Sequence, residues 1–343
     1  MRKLLNILYV TSPDKYLSID GENIVVLSDG KEAGRVPAHN IEGIVTFGYT
    51  GASPALMGYC ASHNISLSFL NKSGRFLASV TGEVRGNVTL RKTQYRISDD
   101  EGKSAKIART MIIGKVYNSR WILERATRDH PDRVDVDYLK KISAFLQETL
   151  IELKECSDLD SIRGLEGNAA SQYFRAFDGL ILRNKESFFF NGRNRRPPLD
   201  NVNALLSFVY TLLTGMTSAA LSTVGLDPYV GFLHRDRPGR ASLALDLMEE
   251  LRPVMADRFV LTVINKQIVD QDDFVKKENG AVLFTDDGRK KIIEAWQNKK
   301  QERIKHPFLE EKIEWGLIPY VQAMLLARFL RDDMDAYPPF MWK

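Results

Sequence analysis

Two cysteines, Cys60 and Cys156, are all that the 343 residues contain. They lie far apart and without the close spacing of a metal knuckle, which excludes a disulfide framework and a zinc ribbon. No apolar run reads as reaching the ~20 residues that a membrane span needs. The opening MRKLLNILYV alternates like a strand, then meets charged residues without a small-residue cleavage site, so no secretory leader is expected. These absences together place the chain in the cytoplasm, away from a membrane. Glycine-rich phosphate cradles are missing too: neither GxxxxGK[ST] nor a strand-borne GxGxxG occurs. A nucleotide-driven motor is therefore disfavoured. There is no Ser-His-Asp order with a nucleophile elbow, no internal repeat and no low-complexity tract.

What remains is a globular composition, 44% apolar and 27% charged, in a chain long enough for two ordinary domains that each bury a core. The net charge of +4 is modest, but the basic residues cluster. Arg85, Arg91, Lys92 and Arg96 fall in one stretch; Arg183, Lys185, Arg193, Arg195 and Arg196 surround a single Glu186. Two readings stay open, a seat for a polyanion or two solvated loops.

Residues 1–90 read as a β domain with one helix. Leu5–Val10, Tyr16–Ile19, Ile24–Leu27, Ile41–Phe47, Ile65–Leu70 and Phe76–Val80 are short apolar or alternating runs. Asp20-Gly21, Asp29-Gly30 and Ser73-Gly74 punctuate them as hairpin turns. Ser53 as cap and Pro54 in the first turn predict a helix through Ser62. Further on the period becomes 3.6, predicting helices over Lys103–Arg128, Val136–Cys156, Leu159–Leu182, Asn201–Val224, Arg240–Lys266 and Ile313–Asp333. A small hairpin is expected around Ala281–Thr285. The fold class expected is α+β, a sandwich-like N-terminal β domain (1–90), a polar linker (91–102) and an all-α domain (103–343).

One block concentrates polar chemistry. His234 sits in a turn bounded by glycine and proline, where polar side chains are more often functional than packed. Asp246, Glu249 and Glu250 then share a helix face at i, i+3 and i+4, a crowding of like charge that needs a cation or a basic partner. Leu243, Leu247 and Leu251 form a neighbouring apolar stripe, which would bury the helix and leave the acids at its margin. Upstream, Glu166 lies in a helix rich in small residues that would let another helix approach. An imidazole with two carboxylates suits Mg2+ or Mn2+ and is too oxygen-rich for structural zinc. Ordinary surface carboxylates and a loop histidine would produce the same spacing.

Taken together, these residues resemble the CRISPR-associated integrase family, the larger of the two proteins common to spacer acquisition. The resemblance rests on Gly231–Pro253, the helix around Glu166, and Pro197-Pro198-Leu-Asp200-Asn-Val-Asn203. In the N-terminal half it rests on Cys60-Ala-Ser-His-Asn-Ile65, Gly74-Arg-Phe and Gly82-Glu-Val-Arg-Gly-Asn87 through Arg91. Overall character is similar to the type I-C branch. The resemblance implies a catalytic helical domain, a homodimer built partly through β domains, a smaller CRISPR-associated partner and double-stranded DNA as substrate. It also implies a metal site that falls on Glu166, His234 and Glu249, with Asp246, one turn away, supporting it from behind. The implied reaction is metal-dependent attack of a 3′-hydroxyl on a phosphodiester, inserting short DNA into the CRISPR array; water in its place makes the chain an endonuclease.

Smaller signals carry two readings each. Tyr173, seven residues after Glu166, faces DNA or the core. Arg235 and Arg237 contact phosphate or pair with the acidic helix. Ser242 donates to a phosphate or caps its helix. Phe188-Phe-Phe190 stacks on bases or packs inside. His39, His63, His130 and His306 are read as structural. Two rival functions remain: a branched-DNA repair nuclease using the same site, and a DNA-binding scaffold whose acids are structural.

Overall fold

The structure, a computed structural model, describes residues 7–41, 43–63, 65–71, 76–80, 82 and 88–343. It opens with β1 (Ile7–Val10), β2 (Tyr16–Asp20), β3 (Asn23–Ser28), β4 (Lys31–Pro37) and β5 (Gly43–Phe47), then α1 (Pro54–Ser62), β6 (Ser66–Leu70) and β7 (Phe76–Val80). β2, β3 and β4 make an antiparallel meander. The β3–β4 turn is Asp29-Gly30 with φ of 50° and 75°, the left-handed pair that a two-residue hairpin needs. β4 is an unexpected strand. Its sequence, KEAGRVP, has no apolar alternation, and pairing with β3 alone makes it extended.

The other sheet runs β1-β5-β6-β7, with β1, β5 and β6 parallel and β7 antiparallel. Parallel neighbours require a crossover, and α1 supplies it between β5 and β6. Ser53 caps α1 as expected, accepting from Leu56 N at 3.1 Å. The β-rich N-terminal region with one helix is thus present, built as two small sheets. Leu5, Ser73-Gly74, Asn64 and the Glu83–Asn87 part of the basic motif, Arg85 included, lie outside the described residues.

Helices dominate the remainder: α2 (Val88–Ser98), α3 (Glu101–Asp129), α4 (Val136–Glu155), α5 (Leu159–Phe177), α6 (Asn201–Val224), α7 (Ser242–Leu251), α8 (Arg258–Asn265), α9 (Asp286–Gln301) and α10 (Ile318–Leu330). Two hairpins interrupt them, β8 (Phe274–Lys276) with β9 (Val282–Phe284) and β10 (Arg303–Lys305) with β11 (Lys312–Glu314). Residues 91–102, expected as a linker, are mostly helical, because Leu90 and Gln94, four apart, give α2 a buried face.

α6 corrects another expectation. By length and composition its 24 residues, at hydropathy 1.5, suffice to cross a membrane. In the fold it is a core helix, burying Leu205, Leu206, Val209, Leu212 and Leu213 and packing on α7 and α10.

α7 and α8 are joined through a π-helical turn, Arg252–Asp257, which accommodates Pro253. α7 is buried all round: Leu243, Leu247 and Leu251 are covered, and so are Asp246, Glu249 and Glu250. The acids do not lie at a margin. Each is tolerated because it has its own partners. Glu250 accepts from Tyr337 OH at 2.6 Å, Gln322 Nε2 at 2.7 Å and Phe340 N at 3.3 Å. Asn118 of α3 donates to the carbonyls of Glu250 and Phe340, binding the C-terminal segment to α7. Close approach happens here: a Cβ on Gly114 would stand 2.9 Å from Glu250 Cβ. Gly164 and Gly167, beside Glu166, would meet nothing within 4 Å, so their small size does not serve helix packing.

Burial pushes the Glu250 carboxyl up to about 7, against its hydrogen bonds. A folded value above the unfolded one, near 4.3, means that the native state holds the proton more tightly. Its contribution to stability is whole below about pH 4.3 and is lost as pH rises to about 7. Glu250→Gln is therefore expected to flatten the decline in stability across pH 5–7, read from denaturant midpoints at each pH. An unaltered slope would refute the assignment.

Candidate active site

Four elements deliver the site. α5 brings Glu166, α7 brings Glu249, the loop between α6 and α7 brings His234, and α3 brings a lysine, Lys115. The Lys115 ammonium, almost fully buried, pairs with Glu166 and lies 2.6 Å from Glu249 Oε2. His234 Nε2 is 4.0 Å from Glu249 Oε1, and Arg252 Nη1 is 2.9 Å from that same oxygen. Burial alone would raise the Glu249 carboxyl, but Arg252, Lys115 and His234 outweigh it and hold it below the usual carboxylate range. Burial likewise opposes the charge on Lys115, and Glu249 and Glu166 more than restore it.

Asp246 works behind the histidine. Its carboxylate, fully buried, accepts from the backbone N–H groups of Phe232, Leu233 and His234 at 2.6, 2.9 and 3.0 Å, and sits 2.5 Å from His234 Nδ1. That takes one ring nitrogen and aims the other, Nε2, toward Glu249. Gly231 permits the arrangement, since a Cβ there would stand 2.7 Å from Asp246 Oδ2. Arg163 closes the turn by donating to the Leu233 carbonyl at 2.6 and 3.0 Å.

Other expected residues divide. Arg195, Arg196 and Arg237 are exposed and line a cleft of about 2500 Å3 that also takes in Glu166, His234, Glu249, Arg91 and Arg240. Arg193 does not face it. Its guanidinium donates to Asn203 Oδ1 and Ser207 Oγ and lies over the Tyr210 ring, so it braces the start of α6. Tyr173 does not line the cleft either: it is 3% exposed and packs edge-on against Phe174 and Phe177, the core reading. Arg235 is exposed, 3.5 Å from Asp160, and is absent from the lining of the cleft. Ser242 is fully buried at the start of α7 and its hydroxyl turns to the Arg235 carbonyl at 3.4 Å, which leaves no hydroxyl for a phosphate. Phe188 and Phe190 are core, while Phe189 is half-exposed.

Sequence reading missed Lys115 and Arg252. A signal for Lys115 existed: it continues the apolar stripe of Ala108, Met111 and Ile112 on α3, where a lysine needs a buried partner.

A divalent ion can be tested against these residues. Among the described residues, no three acidic, histidine or cysteine side chains already close on one point; the Lys115 ammonium is the cation between the glutamates. Yet Glu249 Oε2, buried, contacts Lys115 without hydrogen-bond geometry and has no other partner among the described residues, leaving acceptor capacity unused. With the free Nε2 of His234 and the Glu166 carboxylate, the donor set is one nitrogen and carboxylate oxygens, which suits a hard or borderline divalent ion. The residues fit.

Comparison with known proteins settles the family. Residues 8–298 match the family described as CRISPR associated protein Cas1. The chain belongs to the Cas1 family. It is 49% identical over 343 residues, the whole of both chains, to a CRISPR-associated endonuclease Cas1 of Chlorobaculum tepidum. A Cas1 endonuclease of Rhodospirillum rubrum is 50% identical over 357 aligned positions, again covering both chains entirely. Among solved structures, a casposase bound to integration product superposes with a TM-score of 0.84 at 24% identity, over 98% of this chain and 94% of that one. That likeness speaks for the fold alone. As a Cas1 protein the chain is a DNA endonuclease and spacer integrase, of a family whose nucleases depend on divalent metal.

Proposed function

We propose that Glu166, His234 and Glu249 would hold a divalent ion, Mg2+ or Mn2+, and that in the cleft they line a 3′-hydroxyl attacks a phosphodiester of the CRISPR repeat. One observation carries this reading: two carboxylates and an oriented imidazole gather on the wall of an arginine-lined cleft. An ion held there would polarise the phosphodiester and offset charge developing on its oxygens. Asp246 holds the His234 ring so that Nε2 faces the reacting groups, and Arg252 keeps Glu249 in place and ionised. Arg195, Arg196 and Arg237 hold phosphates without reading bases. Transesterification needs no ATP because one phosphodiester replaces another; water in place of the hydroxyl gives cleavage.

A two-ended fragment needs two such sites, which supports a homodimer, and open strand edges of the β region need covering. We also infer the smaller CRISPR-associated protein as a partner, the cytoplasm as location and the type I-C branch as subtype, the last on overall sequence character.

A strand-transfer assay tests the chemistry. With Mg2+ or Mn2+, a duplex with 3′-hydroxyl ends is expected to join to repeat DNA, while the same duplex with 3′-deoxy ends is only bound. Joining of both would overturn the mechanism. In parallel, Arg195→Ala with Arg196→Ala is expected to weaken binding of unrelated duplexes alike and to lower the slope of log K against log salt by about 2. An unchanged slope would remove these arginines from the interface.

A further inference from the structure

The loop that carries His234 has no regular structure from Gly225 to Arg240, so its backbone groups need partners from outside. At the histidine end Asp246 and Arg163 supply them, as described above. The other end is held from α2. Gln94, fully buried, uses its whole amide. Its Oε1 accepts from Asp227 N at 2.9 Å, and its Nε2 donates to the carbonyls of Asp227 and Val230, both at 2.8 Å. Two further side chains of α2 reach the loop: Arg91 Nε donates to the Gly225 carbonyl at 3.2 Å, and Tyr95 OH lies 2.9 Å from Asp227 Oδ2.

This is an unusual way to dock a helix. α2 is polar, and its buried residues are Leu90 and Gln94. Leu90 enters an apolar cluster with Leu226 of the loop, whereas Gln94 is spent entirely on the loop backbone. The docking of α2 is therefore as much a device for shaping the loop as for burying apolar surface. From Val230, the last residue that Gln94 touches, the chain passes through Gly231 into the three N–H groups clamped by Asp246. Displacing the front of the loop would shift Gly231, which lies so near Asp246 that even a Cβ there would stand 2.7 Å from Oδ2.

We propose that Gln94 is a positioning residue for the reaction: through the 227–230 backbone it sets where His234 stands. The docked state of α2, the first helix after the β region, then decides whether the site is assembled. The proposal rests on His234 belonging to the active site, as argued above. α2 also carries Lys92 and Arg96, four apart and exposed on the side away from Gln94, so DNA phosphates can engage the helix while Gln94 stays on the loop.

The test compares Gln94→Met, which keeps the bulk of the side chain but loses its three hydrogen bonds, with Leu90→Ala, which weakens the apolar half of the docking and leaves the clamp intact. Gln94→Met is expected to lower kcat for strand transfer on the order of 10–100-fold, the scale of an ångström-sized misplacement, with KM for DNA changed less than about threefold. Leu90→Ala is expected to lower the melting temperature at least as much as Gln94→Met and kcat far less. A second readout is independent of turnover. With only five histidines in the chain, carbon-labelled imidazoles can be followed by NMR, His234 being assigned by its loss in His234→Ala. The His234 resonance is expected to move in Gln94→Met and to stay in Leu90→Ala. If Gln94→Met does not accumulate as folded protein, Gln94→Glu, which keeps one acceptor and loses both donated bonds, replaces it in the same comparison. Equal loss of kcat in the two variants, or an unmoved His234 resonance, would overturn the clamp. An active His234→Ala would instead overturn the site on which it rests.

Discussion

Replacing Glu166 or His234 by alanine is expected to reduce both cleavage and strand transfer by at least about 10³-fold, equivalent to a loss of some 4 kcal/mol of transition-state stabilisation. DNA binding should fall far less, because the arginines of the cleft are untouched. In Glu166→Ala stability should also be nearly kept. The Glu166 side chain is 26% exposed and shares the buried Lys115 with Glu249, so the ammonium retains a counter-charge and no buried charge is left unpaired when Glu166 is removed. Titrating Mn2+ into the metal-free variants by calorimetry gives a readout separate from turnover, and each should bind it more weakly than the parent chain. A Glu166→Ala protein that still cleaves DNA would return the acidic cluster to a structural role.

Glu249→Ala should behave differently, losing activity and fold stability together. Glu249 is buried and is the meeting point of two buried cations, Lys115 and Arg252. Removing it leaves both short of counter-charge in a low-dielectric setting, a change that typically costs about 3–5 kcal/mol. The expected result in a denaturant titration is a midpoint well below that of Glu166→Ala, with the slope of the transition unchanged. The contrast is informative because both residues are proposed ligands of one ion. Equal, small effects of the two substitutions on stability would mean that the Lys115 and Arg252 contacts carry little energy. Restoring charge with Glu249→Asp should recover more stability than Glu249→Gln, since the shorter carboxylate still neutralises its neighbours.

Local signals predicted some elements well. α1 was legible from Ser53 and Pro54, and α3, α4, α5 and α6 from apolar recurrence at the helical period. α9 was not anticipated because half of its segment, DDGRKKIIEAWQNKKQ, is charged and much of the rest is polar. Ile292, Ile293 and Trp296 are a single apolar turn, too short a stretch to establish a period. α2 escaped for a related reason: half of its buried face is a glutamine. β10 was not anticipated, β11 falls where the helix from Ile313 was expected to begin, and α10 begins only at Ile318. Three-residue strands owe their conformation to a partner rather than to their own pattern.

The candidate site shows the same division. His234 was marked by its glycine and proline surroundings and by the family resemblance, and Glu166 and Glu249 by the resemblance. Three acids at helical spacing announced that cations had to be near, but nothing local said that each acid would be served separately. Asp246 goes to loop amides, Glu249 to Lys115 and Arg252, and Glu250 to the C-terminal segment. Arg193 and Tyr173 were misplaced because a basic cluster and a helical period do not tell which side chain turns inward.

By itself, then, the sequence determined the helical period of most of the chain, the caps, the tight Asp29-Gly30 turn and the residue types able to hold an ion. Those properties depend on neighbours within a few positions along the chain. Only tertiary structure decided that Lys115 stands between Glu166 and Glu249, that Asp246 orients His234, and that Gln94 reaches across to residues 227–230. These contacts join residues 12 to 136 positions apart, and their energy depends on burial, which excludes water and makes each unpaired charge or amide costly. No local pattern encodes that cost, because it exists only once the helices have closed around the groups that bear it.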